Sequence, residues 1–217
     1  MSTRRAHQAT RSTATRILEV AEAEFAARGY DAASLGDIAD QVGIRTASLY
    51  KHFASKRELY LAVVHRLLDP YFRLLGDLLS VPTSAAQAER NLETVLDHYF
   101  RTPNLARLVQ HAALAEDEAL DLLVKKWYGP LFRRAGKLSA NAPYLARSTR
   151  RDATWLVSVF HATMSGYLTM AALHARVTGQ DPLHPAARGR FSQLLAEMAR
   201  TLWREATKSP SPSRRRR

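Results

Sequence analysis

The chain has 217 residues, 46% of them hydrophobic, with nine glycines and no cysteine. That is enough for two modest domains with a packed core, and it excludes global disorder, disulfides, thiolate catalysis and cysteine-ligated zinc. The formal net charge is +12, but residues 1–16 hold four arginines and no acid, and the last ten hold Lys208 and four arginines, so the body between is nearly balanced and the excess points to a polyanionic partner.

Residues 1–11 read as a disordered basic arm whose Arg4, Arg5 and Arg11 either serve a polyanionic partner or are simply solvated. A first helix is expected from Ser12 to Arg28, with Ile17, Leu18, Ala21 and Phe25 as its buried stripe. Gly29 ends it and Tyr30 packs back against it.

Ser34 to Lys56 reads as two short helices joined by a tight turn. Leu35, Ile38, Ala39 and Val42 repeat at helical spacing, Ser34 is a good N-cap, and Asp37 lies in the first turn where a carboxylate suits the dipole. Gly43 fits a left-handed C′ position, and Ile44 anchors the turn. A second helix, from Arg45 or Thr46 to His52, carries Leu49 inward, with Tyr50 and Phe53 beside it. This is a helix-turn-helix pattern, whose second helix can enter a DNA major groove. No acid occurs from Gln41 to Arg57. The exposed set Arg45, Thr46, Ser48, Lys51 and His52 offers donors for phosphates and guanine edges. A plain bundle with a solvated basic face would also show such a run.

Ser55 caps a fourth helix that opens on Lys56 and continues through Leu59, Tyr60, Val63, Leu67 and Leu68. Pro70 is expected to kink it or force a restart. Further helices are expected from Ala85 to Arg101, and from Pro103 to Ala115 with the proline at N1. The acidic run Glu116–Asp117–Glu118 opens the next, which carries Leu120, Leu123, Val124, Trp127, Leu131 and Phe132 and is kinked at Gly129–Pro130. A long helix is expected from about Ser148 to Val177, roughly 45 Å at 1.5 Å per residue. A last one, Pro185 to Ala206, carries Phe191, Leu194, Leu195, Met198 and Leu202. Residues 208–217 read as a disordered basic tail. The expected fold class is all-α, with about nine helices by periodicity. The expected partition is an arm at 1–11, a helix-turn-helix domain at 12–56, a helical body at 57–207 and a tail at 208–217.

The segment Thr15 to Val64 resembles the DNA-binding domain of the tetracycline-repressor (TetR) family. ILEVAEAEFAARGYDAASL, DIADQVGI, SLYKHF and ASKREL carry the resemblance through their order and spacing. It implies a homodimeric repressor on double-stranded DNA with a palindromic operator, released by a small-molecule effector. Residue by residue it implies phosphate contacts from Tyr50 and Lys56, so the candidate DNA-binding set is Ser34, Arg45, Thr46, Ser48, Tyr50, Lys51, His52 and Lys56. The resemblance also makes the last two long helices candidates for a four-helix dimer interface through Trp155, Val159, Gly166, Phe191, Leu195, Met198 and Leu202.

Between about 85 and 175 the chain is rich in aromatic and histidine side chains. His98, Tyr99, His111, Trp127, Tyr128, Phe132, Phe160, His161, Met164 and Tyr167 are the candidate lining of an apolar effector pocket. Ordinary core packing is the competing explanation for each. The histidines form neither a His-x₃-His pair nor an HExxH pattern, so no metal is expected. No nucleophile elbow, phosphate loop or dinucleotide motif is present, and neither an enzyme activity nor a cofactor is expected. No apolar run is long enough to cross a membrane and the N-terminus lacks an apolar signal core, so a cytoplasmic location without membrane contact is expected. The alternative to a DNA-binding regulator is an all-helical module that binds a small molecule or a protein.

Overall fold

The computed structural model describes residues 12–78, 85–116, 118–141 and 150–207. The basic segments 1–11 and 208–217 lie outside these residues, as do the side chains of Trp155 and Leu202. Among the described residues the architecture is all-α, and the chain divides into two compact units. The first combines residues up to Tyr71 with Thr102–Lys125, so it is not contiguous in sequence. The second combines Phe72–Arg101 with the residues from Lys126 onward.

In the first unit, α1 spans Thr13–Ala32 and is capped by Ser12, whose side-chain oxygen accepts from the Thr15 N–H at 3.2 Å. Gly29 inside it has φ +75° and ψ 179°, so the helical path breaks where the sequence places its end. α2 covers Leu35–Val42. Ser34 caps its start and left-handed Gly43 (φ +76°) closes it. α3 is Thr46–Tyr50, and α4 runs Lys56–Leu78, its residues from Phe72 onward counted with the second unit. Ser55 accepts from the Glu58 N–H at 3.1 Å while the Glu58 carboxylate accepts from the Ala54 N–H at 2.8 Å, a reciprocal capping arrangement. α4 continues through Pro70 without a restart.

α6 (Pro103–Ala115) packs on α1, and α7 (Glu118–Leu123) packs on α6. Glu116 closes α6 in a left-handed conformation (φ +51°), so of the acidic run it is Glu118 that enters the next helix. Ile17, Phe25, Ile38, Leu49, Leu59, Val63 and Leu105 are fully or almost fully buried here. Each contributes about 1.5–3 kcal/mol of transfer free energy. A small apolar cavity of about 10 Å³ beside Tyr60, Val64, Leu105 and Leu108 holds no more than about one water.

The second unit contains α5 (Ala85–Arg101), α8 (Gly129–Asn141), α9 (Arg150–Thr169), α10 (Ala171–Thr178) and α11 (Pro185–Thr207). α9 packs on α8 and α5, and α11 packs on α5. Two expectations change. The helix before Gly129 widens into a π-helical turn over Val124–Tyr128, immediately ahead of the Gly-Pro pair. The long helix is two: Met170 (φ −94°, ψ +8°) separates α9 from α10. Leu92, Leu96, Tyr99, Met164, Leu168 and Leu195 are buried in this unit.

Candidate functional site

The second helix of the helix-turn-helix is shorter than its pattern suggests. After five α-helical residues, Lys51 N–H donates to the Ser48 carbonyl at 3.3 Å and His52 N–H to the Leu49 carbonyl at 2.9 Å. These i→i+3 bonds tighten the last turn, so Lys51 and His52 leave the helix as a turn and are not its final α-helical residues. Leu49 is fully buried and Phe53 is buried, and these two side chains fasten the element to the unit. Arg45, Thr46, Lys51 and His52 are exposed, Tyr50 is 50% exposed, and Ser48 and Ser34 are half-buried. Ala47, which the sequence reading passed over, is exposed on the same short helix.

The charges in this surface separate into three situations. Among the described residues no ion pair engages Arg45, Lys51 or His52, so their donors remain for an external acceptor. Arg57 is paired: its Nε donates to Glu118, and that hydrogen bond and charge raise the guanidinium pKa further. Lys56 is held between these extremes. Its Nζ donates to the Asp31 carbonyl at 3.0 Å and sits 4.9 Å above the Tyr30 ring. An ammonium carries three donors, so this anchoring leaves two for a phosphate while fixing where they point. Tyr50, expected beside the core, is 50% exposed.

The rest of the unit holds the helix-turn-helix rigidly. An Arg16 guanidinium nitrogen donates to the Val42 carbonyl at the end of α2. Asn104 Nδ2 donates to Glu22 at 3.0 Å, joining α6 to α1, and Arg66 pairs with Glu19 at 3.6 Å, joining α4 to α1.

The second unit brings together part of the expected pocket lining. Tyr99 on α5, Tyr128 in the π-helical turn, and His161 and Ser165 on α9 share one hydrogen-bonded cluster. The Tyr99 hydroxyl lies 3.0 Å from His161 Nδ1 and 3.3 Å from Ser165 Oγ. The Tyr128 hydroxyl lies 3.1 Å from His161 Nε2. Phe72 meets the Tyr128 ring edge-on at 5.1 Å and Phe132 stacks on it at 6.5 Å. Burial pushes the His161 imidazole down to about 4, so it is neutral at neutral pH. Burial, and then Tyr99, push the Tyr128 hydroxyl well above its ordinary range. Met164, buried, occupies the same face of α9 as His161.

Other expected members fall elsewhere. Trp127 is buried in the π-helical turn, and Phe160 and His98 are half-buried on α9 and α5. Tyr167 stacks on Phe191 at 3.9 Å, with Phe100 edge-on at 6.0 Å and Arg188 over the Phe100 ring. His111 is not in this unit: its ring packs against Gly29 in the first. Phe72 falls before the aromatic-rich stretch 85–175 and Arg188 after it, and Ser165 does not stand out from it by residue type.

The residues expected at a dimer interface divide between buried and exposed positions. Leu195 is 3% exposed and Phe191 is engaged with Tyr167, whereas Leu194 and Met198 are exposed at 57% and 55%. Val159 on α9, and Met170, Leu173 and Val177 along α10, are exposed as well. Gly166 faces open space.

Two short helices joined at a left-handed glycine, each buried on one face and the second free of acids, define a helix-turn-helix with a helical second unit. The family model described as bacterial regulatory proteins, tetR family, matches residues 17–63. A transcriptional activator, FasR of Mycolicibacterium smegmatis, is 49% identical over 53 residues, 24% of this chain and 24% of that protein. A transcriptional repressor, KstR2 of Mycobacterium tuberculosis, is 43% identical over 74 residues, 34% of this chain and 36% of that protein. The matched segment thus spans about a quarter to a third of these relatives. The solved structure of the ketosteroid transcriptional regulator KstR2 of M. tuberculosis superimposes over 92% of this chain and 97% of its own, with a TM-score of 0.62 at 21% identity, and so shares the fold. Over residues 17–63 the chain matches the tetR family of bacterial regulatory proteins, and over most of its length it shares the fold of the KstR2 structure.

Proposed function

We propose that the chain is a homodimeric, sequence-specific transcription regulator whose operator affinity is set by a small molecule held in the second unit. The observation that carries this is the acid-free surface of α3 and its flanks, with Arg45, Lys51 and His52 exposed and unengaged among the described residues. Arg45 and Thr46 lie at the start of α3, where side chains of a recognition helix reach base edges; Tyr50, Lys51, Lys56 and Ser34 serve the phosphates. The basic segments 1–11 and 208–217 add salt-sensitive affinity.

Two copies would meet through the exposed apolar stripes of α10 and α11 and through Val159, setting two α3 helices about 34 Å apart on a palindromic site. Repression is our reading of the outcome, although the named relatives include an activator as well as repressors. No helix among the described residues is long and apolar enough to cross a membrane, in keeping with a regulator that works on DNA in the cytoplasm. A mobility shift of DNA from the gene's own upstream intergenic region tests the reading. A discrete complex that resists competitor DNA supports it, and binding no tighter than to scrambled DNA refutes it.

A further inference from the structure

His161 is the most constrained polar group in the second unit, and its protons can be assigned. A neutral imidazole offers one N–H and one lone pair. Tyr99 stands at Nδ1, while Tyr128 at 3.1 Å and, more distantly, Ser165 Oγ at 3.4 Å stand at Nε2, so one side of the ring meets an accepting hydroxyl and the other a donating one. Tyr99 can accept the Nδ1–H because its own proton has a further acceptor, Ser165 Oγ at 3.3 Å. Tyr128 then donates to Nε2. In the opposite tautomer the Tyr128 proton has no acceptor in the cluster.

Lys, Arg, Asp and Glu are absent from this set of four side chains, and the neighbouring rings are Phe72 and Phe132. An ion brought here would lose its hydration with no counter-charge in the cluster. An oxygen on an apolar body would not. A ligand hydroxyl that displaces the direct 3.1 Å contact between Tyr128 and His161 donates to Nε2 and accepts from Tyr128. A ligand carbonyl accepts from both, once the imidazole proton moves to Nε2 and Tyr99 donates to Nδ1. The π-helical turn is the second sign of a site: it is the irregularity that carries Tyr128, and such turns recur where helices serve function.

We propose that the Tyr128–His161 pair, backed by Tyr99 and Ser165, is the polar anchor of the effector site and that the effector is an uncharged, ring-bearing apolar molecule with a hydroxyl or carbonyl oxygen. This rests on the regulator reading only for calling the ligand an effector. The anchor recognises the oxygen, and the aromatic surround recognises the body.

The test uses the full chain and four probes of one size: 2-naphthol, 2-acetonaphthone, 2-naphthoate and naphthalene. Binding is followed by calorimetry and by the ¹⁵N shifts of the His161 ring. The two neutral oxygenated probes should bind at least about tenfold tighter than the carboxylate. They should move the His161 nitrogens, with the ketone shifting the proton to Nε2. Tyr128→Phe keeps the ring and should weaken both by about fivefold to tenfold while leaving naphthalene unchanged, the loss of one neutral hydrogen bond. His161→Gln gives a second variant should Tyr128→Phe unfold. The proposal is overturned if the carboxylate binds as well as the neutral probes, if no neutral probe moves the His161 signals, or if the variants leave all probes unchanged. Operator binding without probe is read separately; its absence would count against the regulator reading and not against the anchor.

Discussion

Lys56 Nζ donates to the main-chain carbonyl of Asp31 at 3.0 Å, which ties the first residue of α4 to the end of α1 across the Tyr30 ring. The lysine is therefore oriented before any DNA arrives, and its remaining donors are presented at a fixed place beside α3. Lys56→Ala should weaken binding to every duplex alike and lower the slope of log K against log salt by about 1. Lys56→Arg, which replaces a compact ammonium with a planar fork, should restore only part of it. Fluorescence anisotropy over a salt series reads both.

Arg45 and Arg57 differ in a way their residue type hides. Arg45 is unengaged, whereas Arg57 donates to Glu118. Arg45→Ala should cost about 1–3 kcal/mol on the best operator and relax preference at one base position. Arg57→Ala should change operator affinity far less, because Glu118 already answers its charge. Competition against a library of single-base operator variants separates the two.

Gly29 is held at φ +75°, and the space where its Cβ would stand is 3.1 Å from the His111 ring. Gly29→Ala should destabilise the protein by about 1–3 kcal/mol, combining left-handed strain with a steric clash. In a His111→Ala background the steric part should vanish and the strain should remain. Denaturant melts of the four proteins in this cycle give the coupling.

His161 also predicts an acid limb in stability. Its folded-state pKa is depressed to about 4 from an ordinary 6.5 by burial, so between these values the unfolded chain binds the proton and the folded chain does not. Stability is full above pH 6.5 and falls as pH drops toward 4, by about 3 kcal/mol over the window. Burial lowers His98 in the same direction and adds to the limb. Thermal melts from pH 7 to pH 4 should show a flatter profile for His161→Gln than for the wild type.

The apolar stripes of α10 and α11 predict the assembly. Val177 is 76% exposed and Leu194 57% exposed. The double variant Val177→Asp/Leu194→Asp should sediment as a monomer, keep its helical content and lose most operator affinity, because two half-sites are no longer held together. A wild type that is monomeric at micromolar concentration would contradict this.

Much of the helix-turn-helix was legible because its signals are local. Ser34, Gly43 and Ser55 act on the backbone within four residues, and each appears in the structure as a cap. What was not legible depends on distant partners. Residues 102–125 join the first unit because α6 packs on α1, and nothing in the composition of Pro103–Ala115 announces that. His111 was grouped with the other aromatic and histidine residues by type, yet Gly29 lies against it. Leu194 and Leu195 are the same residue type, and only the packing of α11 on α5 decides that Leu195 points inward and Leu194 outward. The π-helical turn has no signature in residue type, so Tyr128 and His161 could be named together but not joined.

The central claim is that the exposed cations around α3 bind duplex DNA in a sequence-selective way. The most direct measurement is the salt dependence of affinity for the upstream intergenic duplex and for a scrambled duplex of equal length, with wild type and Arg45→Ala/Lys51→Ala. Wild type should show a steep negative slope and a preference of at least about 10³ for the true site, and the variant a shallower slope with most of that preference lost. Equal affinity for both duplexes, or a variant indistinguishable from wild type, would contradict it.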